Sequence, residues 1–292
     1  MKPVGFEYCR ADSVDEVLAL LDEFGADASV LAGGMSLGAM LNMRLVRPTA
    51  VIDVKRVAGL DAVQVNGEVH TGATLRQAAA LANVPLMQAV PLLALALPNV
   101  GHFQTRNRGT LGGSVAHADP SAETPLALLT LGGAVELRSR RGTRRVPASE
   151  FFLDVLSTVR QPDELLTALI WPKRRAGAGH AFLEIAQRHG DFAIVAVAVE
   201  TVLKPDGTLE RLSLGLGGVE TRPVLADTSA FAGQKADAQL ARAIAAQAAA
   251  RANPMADLKA SADYRRALIE TLGTQAIVGA FADARRQSRC SA

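Results

Sequence analysis

Cysteine is almost missing from this chain: only Cys9 and Cys290 occur in 292 residues. An iron–sulfur cluster takes four ligands, usually all cysteine, and a zinc ribbon needs a similar density of Cys and His, so the chain is expected to hold neither by itself. A domain of this size needs no disulfide, and both thiols are read as free. The five histidines, His70, His102, His117, His180 and His189, show no HxxxH or HExxH spacing. Long apolar runs are missing as well. The longest, residues 193–199, is far below the roughly 18 residues of a membrane-spanning helix. Lys2, Pro3 and Glu7 interrupt the amino terminus before an apolar secretory segment forms, which sets a cytoplasmic expectation. Neither sign of charge dominates, with 31 basic against 29 acidic side chains, and aromatics make up 4%. That balance supplies no clustered positive field or stacking platform for nucleic acid. Arg138, Arg140, Arg141, Arg144 and Arg145 around Gly142 read as a solvated hairpin tip.

What is present is a 49% apolar, 21% charged composition, that of a globular protein of two or more domains. Ser13-Val14-Asp15-Glu16 is a capping-box pattern, and Val14, Val17, Leu18, Leu21 and Phe24 keep helical spacing up to Gly25. Strands are expected at 28–32 and 50–54 with a short helix over 36–44 between them, giving a β-α-β lobe over 4–57. A second lobe starts with a strand at 69–71, followed by helices over 75–82 and 86–97, the latter interrupted by Pro91. Residues 98–120 are polar and without period, the kind of long segment that is functional or disordered. Helical spacing resumes over 121–131, and strands are expected at 134–137 and 165–170. After Pro172, three strands at 182–186, 193–203 and 209–215 form an antiparallel meander, closed by helices over 238–252 and from 262 to about 285. The fold class is α+β, with domains over 1–177 (lobes about 1–57 and 58–177) and 178–292.

Two glycine-dense segments carry the chemistry. In Leu31-Ala32-Gly33-Gly34-Met35-Ser36-Leu37-Gly38, paired glycines after a strand let backbone approach a ligand, and amides at a helix start suit a pyrophosphate. The spacing is neither GxGxxG nor that of a P-loop, and on pattern alone a tight structural turn is the simpler reading. The second segment, Asn107-Arg108-Gly109-Thr110-Leu111-Gly112-Gly113-Ser114, continues through His117 and Asp119-Pro120 to Glu123. It offers unpaired amides and hydroxyls for phosphate and a carboxylate for a ribose hydroxyl, so two such loops can grip both ends of a dinucleotide. A glycine-rich connector whose polar groups cap helices is the alternative. His117 reads as a loop hydrogen-bonder, and Trp171, Met40 and Met43 as packing.

Taken together, AGG-x-S-L at 32–37, RNRGTLGGS at 106–114, Asp119-Pro120, Gly190-Asp191-Phe192-Ala193 and Ser261-x-x-Tyr264-Arg265-Arg266 resemble the FAD-binding medium subunit of molybdenum hydroxylases. This is the carbon monoxide dehydrogenase and xanthine dehydrogenase group, and the resemblance covers nearly the whole chain. It implies a two-lobed FAD-binding domain of the PCMH type and a smaller C-terminal flavoprotein domain of the carbon monoxide dehydrogenase type, β-meander plus helices. It implies FAD at Ala32, Gly33, Gly34, Met35, Ser36 and Leu37 and at Thr110, Leu111, Gly112, Gly113 and Ser114, on the diphosphate and ribityl chain. Val100 and Gly101 match positions beside the cofactor, with His117 and Asp119 in the same segment. Glu123 matches an acidic residue on the adenosine ribose, and Leu166 a position near the isoalloxazine.

The resemblance further implies an electron-transfer role with no catalytic residue and no metal ligand in this chain. Its partners would be a small iron–sulfur subunit and a large molybdopterin subunit, as a heterotrimer paired into a heterohexamer, with no nucleic acid. Three departures stand out: Met35 where Gln or His is frequent, Gly38-Ala39 in place of x-Pro, and Glu184 where Lys is common near the flavin. A carboxylate at 184 disfavours an anionic reduced flavin, whereas Lys favours it. A stand-alone FAD-dependent oxidoreductase and a dinucleotide-binding scaffold without turnover are the rival readings.

Overall fold

The computed structural model describes residues 2–290. Its first lobe runs β1 (Glu7–Arg10), α1 (Val14–Phe24), β2 (Ala28–Leu31), α2 (Leu37–Asn42) and β3 (Ala50–Asp53), with β3 parallel to and between β1 and β2. Ser13 caps α1 by accepting the Glu16 amide, and Glu16 Oε2 accepts the Asp12 N–H at 2.7 Å, so the box closes one residue earlier than its usual form. Val17, Leu18 and Leu21 of α1 share a buried cluster with Ile52 and, from the next lobe, Leu165.

The second lobe is an antiparallel sheet with helices on one face. It comprises β4 (Val63–Asn66), β5 (Glu68–Gly72), α3 (Gln77–Ala82), α4 (Val84–Ala89), α5 (Pro91–Ala96), α6 (Phe103–Arg108), α7 (Leu111–His117) and α8 (Glu123–Leu131). Then follow β6 (Ala134–Ser139), β7 (Gly142–Pro147), α9 (Ala148–Phe151), β8 (Phe152–Asp154), β9 (Ser157–Thr158) and β10 (Leu165–Trp171). The main sheet has the order β4-β5-β10-β6-β7, and Trp171 at the end of its central strand donates to Thr71 Oγ1 at 3.0 Å from full burial. Pro91 splits the apolar stretch into α4 and α5, because proline has no amide to continue the ladder. The expected aperiodic segment is instead two helices, α6 and α7, of six and seven residues. Fewer than two turns leave no period to detect.

In the C-terminal part, β11 (Gly179–Ile185), β12 (Val195–Leu203), β13 (Leu209–Gly217) and β14 (Val224–Ala226) form a meander in chain order, covered by α10 (Ala238–Arg251) and α11 (Ala262–Cys290). β12 explains the longest apolar run. Val195, Val197 and Val199 point into the core under α10 and α11, while Ala196 and Ala198 point into the core of the second lobe. A strand covered on both faces reads as continuous apolar sequence, and alanines on one side let α8 and α5 approach closely. All nine residues of α8 are buried, which places that helix between the two sheets.

The arginine-rich segment is the solvated hairpin of β6 and β7 that was expected, and its arginines pair with carboxylates. Arg138 and Arg140 pair with Asp15 and Asp22 on α1, Arg141 with Asp163, Arg144 with Glu164 and Arg145 with Glu68. Only the Arg138 and Arg140 pairs reach from the second lobe to the first, both at the surface. Cys9 is free, and the expectation for the Cys290 thiol lies outside the described side chains. Among the described residues no helix is long and apolar enough to cross a membrane.

Candidate cofactor site

The two glycine segments meet. Residues 32–36 connect β2 to α2, and Gly33 lies directly against the backbone of Arg108 and Gly109, where a side chain has no room. Gly34 has φ +74, a conformation glycine adopts without strain. Thr110 Oγ1 caps α7 by accepting the Gly113 amide at 3.0 Å, and Gly113 faces the methyl of Ala32. Between the segments opens a cavity of about 270 Å³ lined by Ala32, Gly33, Lys55, Thr74, Arg76, Arg108 and Thr110.

The amides of the two segments are used differently. Those of Gly33, Gly34, Met35 and Ser36 donate to no protein acceptor among the described residues, so four successive N–H groups are available to an anion. The expectation of unpaired amides in the second segment is corrected at four positions: Leu111 donates to Leu75 O, Gly112 to Ala73 O, Gly113 to Thr110 Oγ1 and Ser114 to Thr110 O. Residues 109–112 dock edge-on against 73–77, which takes up the Leu111 and Gly112 amides, whereas the Thr110 amide donates to no protein acceptor among the described residues. Lys55, Thr74, Arg76 and Arg108 were not singled out from sequence. Arg108 stands inside the quoted RNRGTLGGS run, whereas Arg76 reaches the site only because residue 76 bridges to Thr110.

Val100 and Gly101 form a turn at the end of the helical stretch, held by Arg106, whose Nη1 donates to the carbonyls of Val100 at 2.8 Å and Gly101 at 2.9 Å. Gly190 of the β11–β12 connection packs on the His102 ring, and the rings of His102 and His189 stack 5.9 Å apart. The C-terminal part thus touches the same turn. Arg265, 3% exposed, donates from Nη1 to the carbonyls of Ile194 and Gly218 and pairs with Asp257 at 2.8 Å. Gly218 in turn donates to Pro120 O at 2.8 Å, which ties the Asp119-Pro120 segment to α11.

Two carboxyls lie buried near that segment. Burial pushes Glu123, at the head of α8, up to about 7, with Asp119 adding to the effect and Arg106 opposing it. Burial and the facing Glu123 push Glu184 on β11 up to about 8, and Glu184 Oε2 is buried with no hydrogen-bond partner. Two acids therefore face each other where the resemblance implies an acid and a lysine. His117, half-buried at the end of α7, is held below the usual imidazole range by burial, with Asp119 opposing. Leu166 lies 5% exposed in the core cluster with Leu111 and Val115 of α7, and Leu37 opens α2. Among the described residues no three His, Cys, Asp or Glu side chains converge as a metal site.

A cavity between glycine loops that carry free amides, with cations beside it, fits a nucleotide diphosphate. The comparisons agree. Residues 4–174 match the FAD-binding domain in molybdopterin dehydrogenase, and residues 180–279 the CO dehydrogenase flavoprotein C-terminal domain. The chain is 35% identical over 288 residues to the 6-hydroxypseudooxynicotine dehydrogenase complex subunit alpha of Paenarthrobacter nicotinovorans, covering 98% of this chain and 97% of that one. It is 31% identical to the carbon monoxide dehydrogenase medium chain of Hydrogenophaga pseudoflava, covering 97% and 99%. Among solved structures, a carbon monoxide dehydrogenase from Hydrogenophaga pseudoflava superposes with a TM-score of 0.93 at 32% identity, covering 97% of this chain and 99% of that chain. Quinoline 2-oxidoreductase from Pseudomonas putida 86 does so with a TM-score of 0.92 at 31% identity, covering 99% and 100%. The chain belongs to the FAD-binding medium subunits of the molybdenum hydroxylases, an oxidoreductase family.

Proposed function

We propose that this chain is the electron-transfer flavoprotein of a multi-subunit molybdenum hydroxylase, set between iron–sulfur clusters of a partner chain and an external electron acceptor. The observation that carries the reading is the cavity between the glycine loops, with Gly33 of the first loop and Thr110 of the second in its lining and four free amides at Gly33 to Ser36 in the first loop. FAD, when bound, exchanges electrons singly with clusters and in pairs with an acceptor. The residues have binding roles. Ala32 to Leu37 hold one side of the diphosphate, and Thr110 to Ser114 the other side with the ribityl chain. Val100 and Gly101 border the cofactor, Glu123 takes a sugar hydroxyl, His117 and Asp119 support that segment, and Leu166 backs the flavin side from the core. Residues 1–177 form the FAD-binding domain, in lobes of about 1–57 and 58–177, and residues 178–292 the C-terminal flavoprotein domain.

The partners are a small iron–sulfur chain and a large molybdopterin chain, paired as a heterohexamer in the cytoplasm. The names of the relatives, a complex subunit and a medium chain of dehydrogenases, support a multi-subunit assembly. The test is anaerobic mixing of the FAD-loaded chain with N-heterocycles, purines, aldehydes and carbon monoxide, alone and with the partner chains. The visible absorbance is expected to bleach only when the partners are present. Bleaching by substrate in the isolated chain contradicts the reading and makes the protein a self-sufficient oxidoreductase.

A further inference from the structure

Backbone donors in the lining are few. Gly33 of the first loop and Thr110 of the second keep amides with no protein acceptor among the described residues, whereas Leu111, Gly112, Gly113 and Ser114 have spent theirs on Leu75, Ala73 and Thr110. A nucleotide diphosphate brings two negative charges, which amides alone do not neutralise. The cations in the cavity are unequal. Lys55 stands 3.0 Å from Asp53 Oδ2, and Asp53 also accepts from Tyr8 and the Lys55 amide, so this charge is already neutralised. Arg76 and Arg108 make no ion pair among the described residues and are exposed at the cavity mouth.

Their backbones, in contrast, are fixed. Residue 76 is bridged to Thr110, the Gln77 amide donates to Gly109 O at 2.9 Å, and the Arg108 carbonyl abuts Gly33. The side chains start from rigid points on the cavity wall. We propose that Arg76 and Arg108 are the diphosphate-binding side chains of the cofactor site, adding charged hydrogen bonds to those that the two glycine loops supply. This rests on the reading that FAD lies between the two loops. Guanidinium suits the role because its planar N–H fork matches phosphate oxygens, and charged hydrogen bonds of this kind are the strong ones.

The experiment measures FAD affinity of the flavin-depleted full chain by fluorescence at increasing salt. Wild type is compared with Arg76→Gln, Arg108→Gln, the double variant, and Arg242→Gln on the exposed face of α10 as a control for overall charge. Each single site variant is expected to weaken binding roughly tenfold, and the double variant further, with a shallower salt dependence. Unchanged circular dichroism and melting temperature establish that these exposed positions leave the fold intact. Wild-type affinity and salt dependence in the double variant overturn the assignment, as does an equal loss in Arg242→Gln. A folded wild-type chain that takes up no FAD overturns the underlying cofactor reading instead.

Discussion

A Cβ on Gly33 would stand 2.3 Å from the carbonyl oxygen of Arg108. The first glycine loop and the end of α6 are therefore in backbone contact, and the cavity wall depends on that contact. Gly33→Ala is expected to push the loop away from residues 108–109, at about 1–3 kcal/mol of stability, and to weaken FAD binding. Calorimetric melting and flavin titration measure both. An alanine variant with wild-type stability and affinity contradicts the close approach.

The Glu123 and Glu184 carboxyls, raised to about 7 and about 8, set a pH dependence of stability. In the unfolded chain both ionise near the ordinary 4.5. Above that value the native state binds more protons than the unfolded one, so stability falls as pH rises. The contribution is fully present below the unfolded pKa and is lost as pH climbs through the folded values. Glu184→Gln removes one ionisation and relieves the repulsion on Glu123. The melting temperature followed from about pH 5 to about pH 9 is then expected to fall less steeply than in wild type. An identical slope in the variant contradicts the pairing.

Arg265 joins β12 and β13 through the carbonyls of Ile194 and Gly218. Arg265→Met fills similar space but leaves both acceptors without their donor, at a cost of roughly 2 kcal/mol or more. Because Gly218 also donates to Pro120 O, the variant is expected to loosen the 119–123 segment, seen as faster amide exchange there than in β5. Exchange unchanged at 119–123 removes this link.

Much of the fold is legible in residue patterns. Ser13 and Glu16 mark the start of α1, Pro91 divides α4 from α5, and Lys204-Pro205-Asp206-Gly207 marks the turn between β12 and β13. Short elements are not legible, because α6 and α7 complete fewer than two turns each and β14 spans three residues. At the site, glycines advertise where backbone comes close. What they cannot reveal is which amides remain free, since that depends on whether Leu75 and Ala73 arrive as acceptors. Nor does local sequence mark Arg76, which reaches Thr110 only through a bridge across 34 positions. The arginines of the β6–β7 hairpin were legible as charge, but their partners Asp15, Asp22 and Glu68 come from distant segments.

The central claim is that this chain holds FAD between its two glycine loops. The most direct measurement is the visible absorption spectrum of the purified chain, followed by acid release and mass identification of the chromophore. The account predicts a flavin spectrum and released FAD, one per chain, lost together when Gly34 and Gly113 carry bulky side chains in a chain that still folds. A folded wild-type chain that is colourless and takes up no added FAD contradicts it.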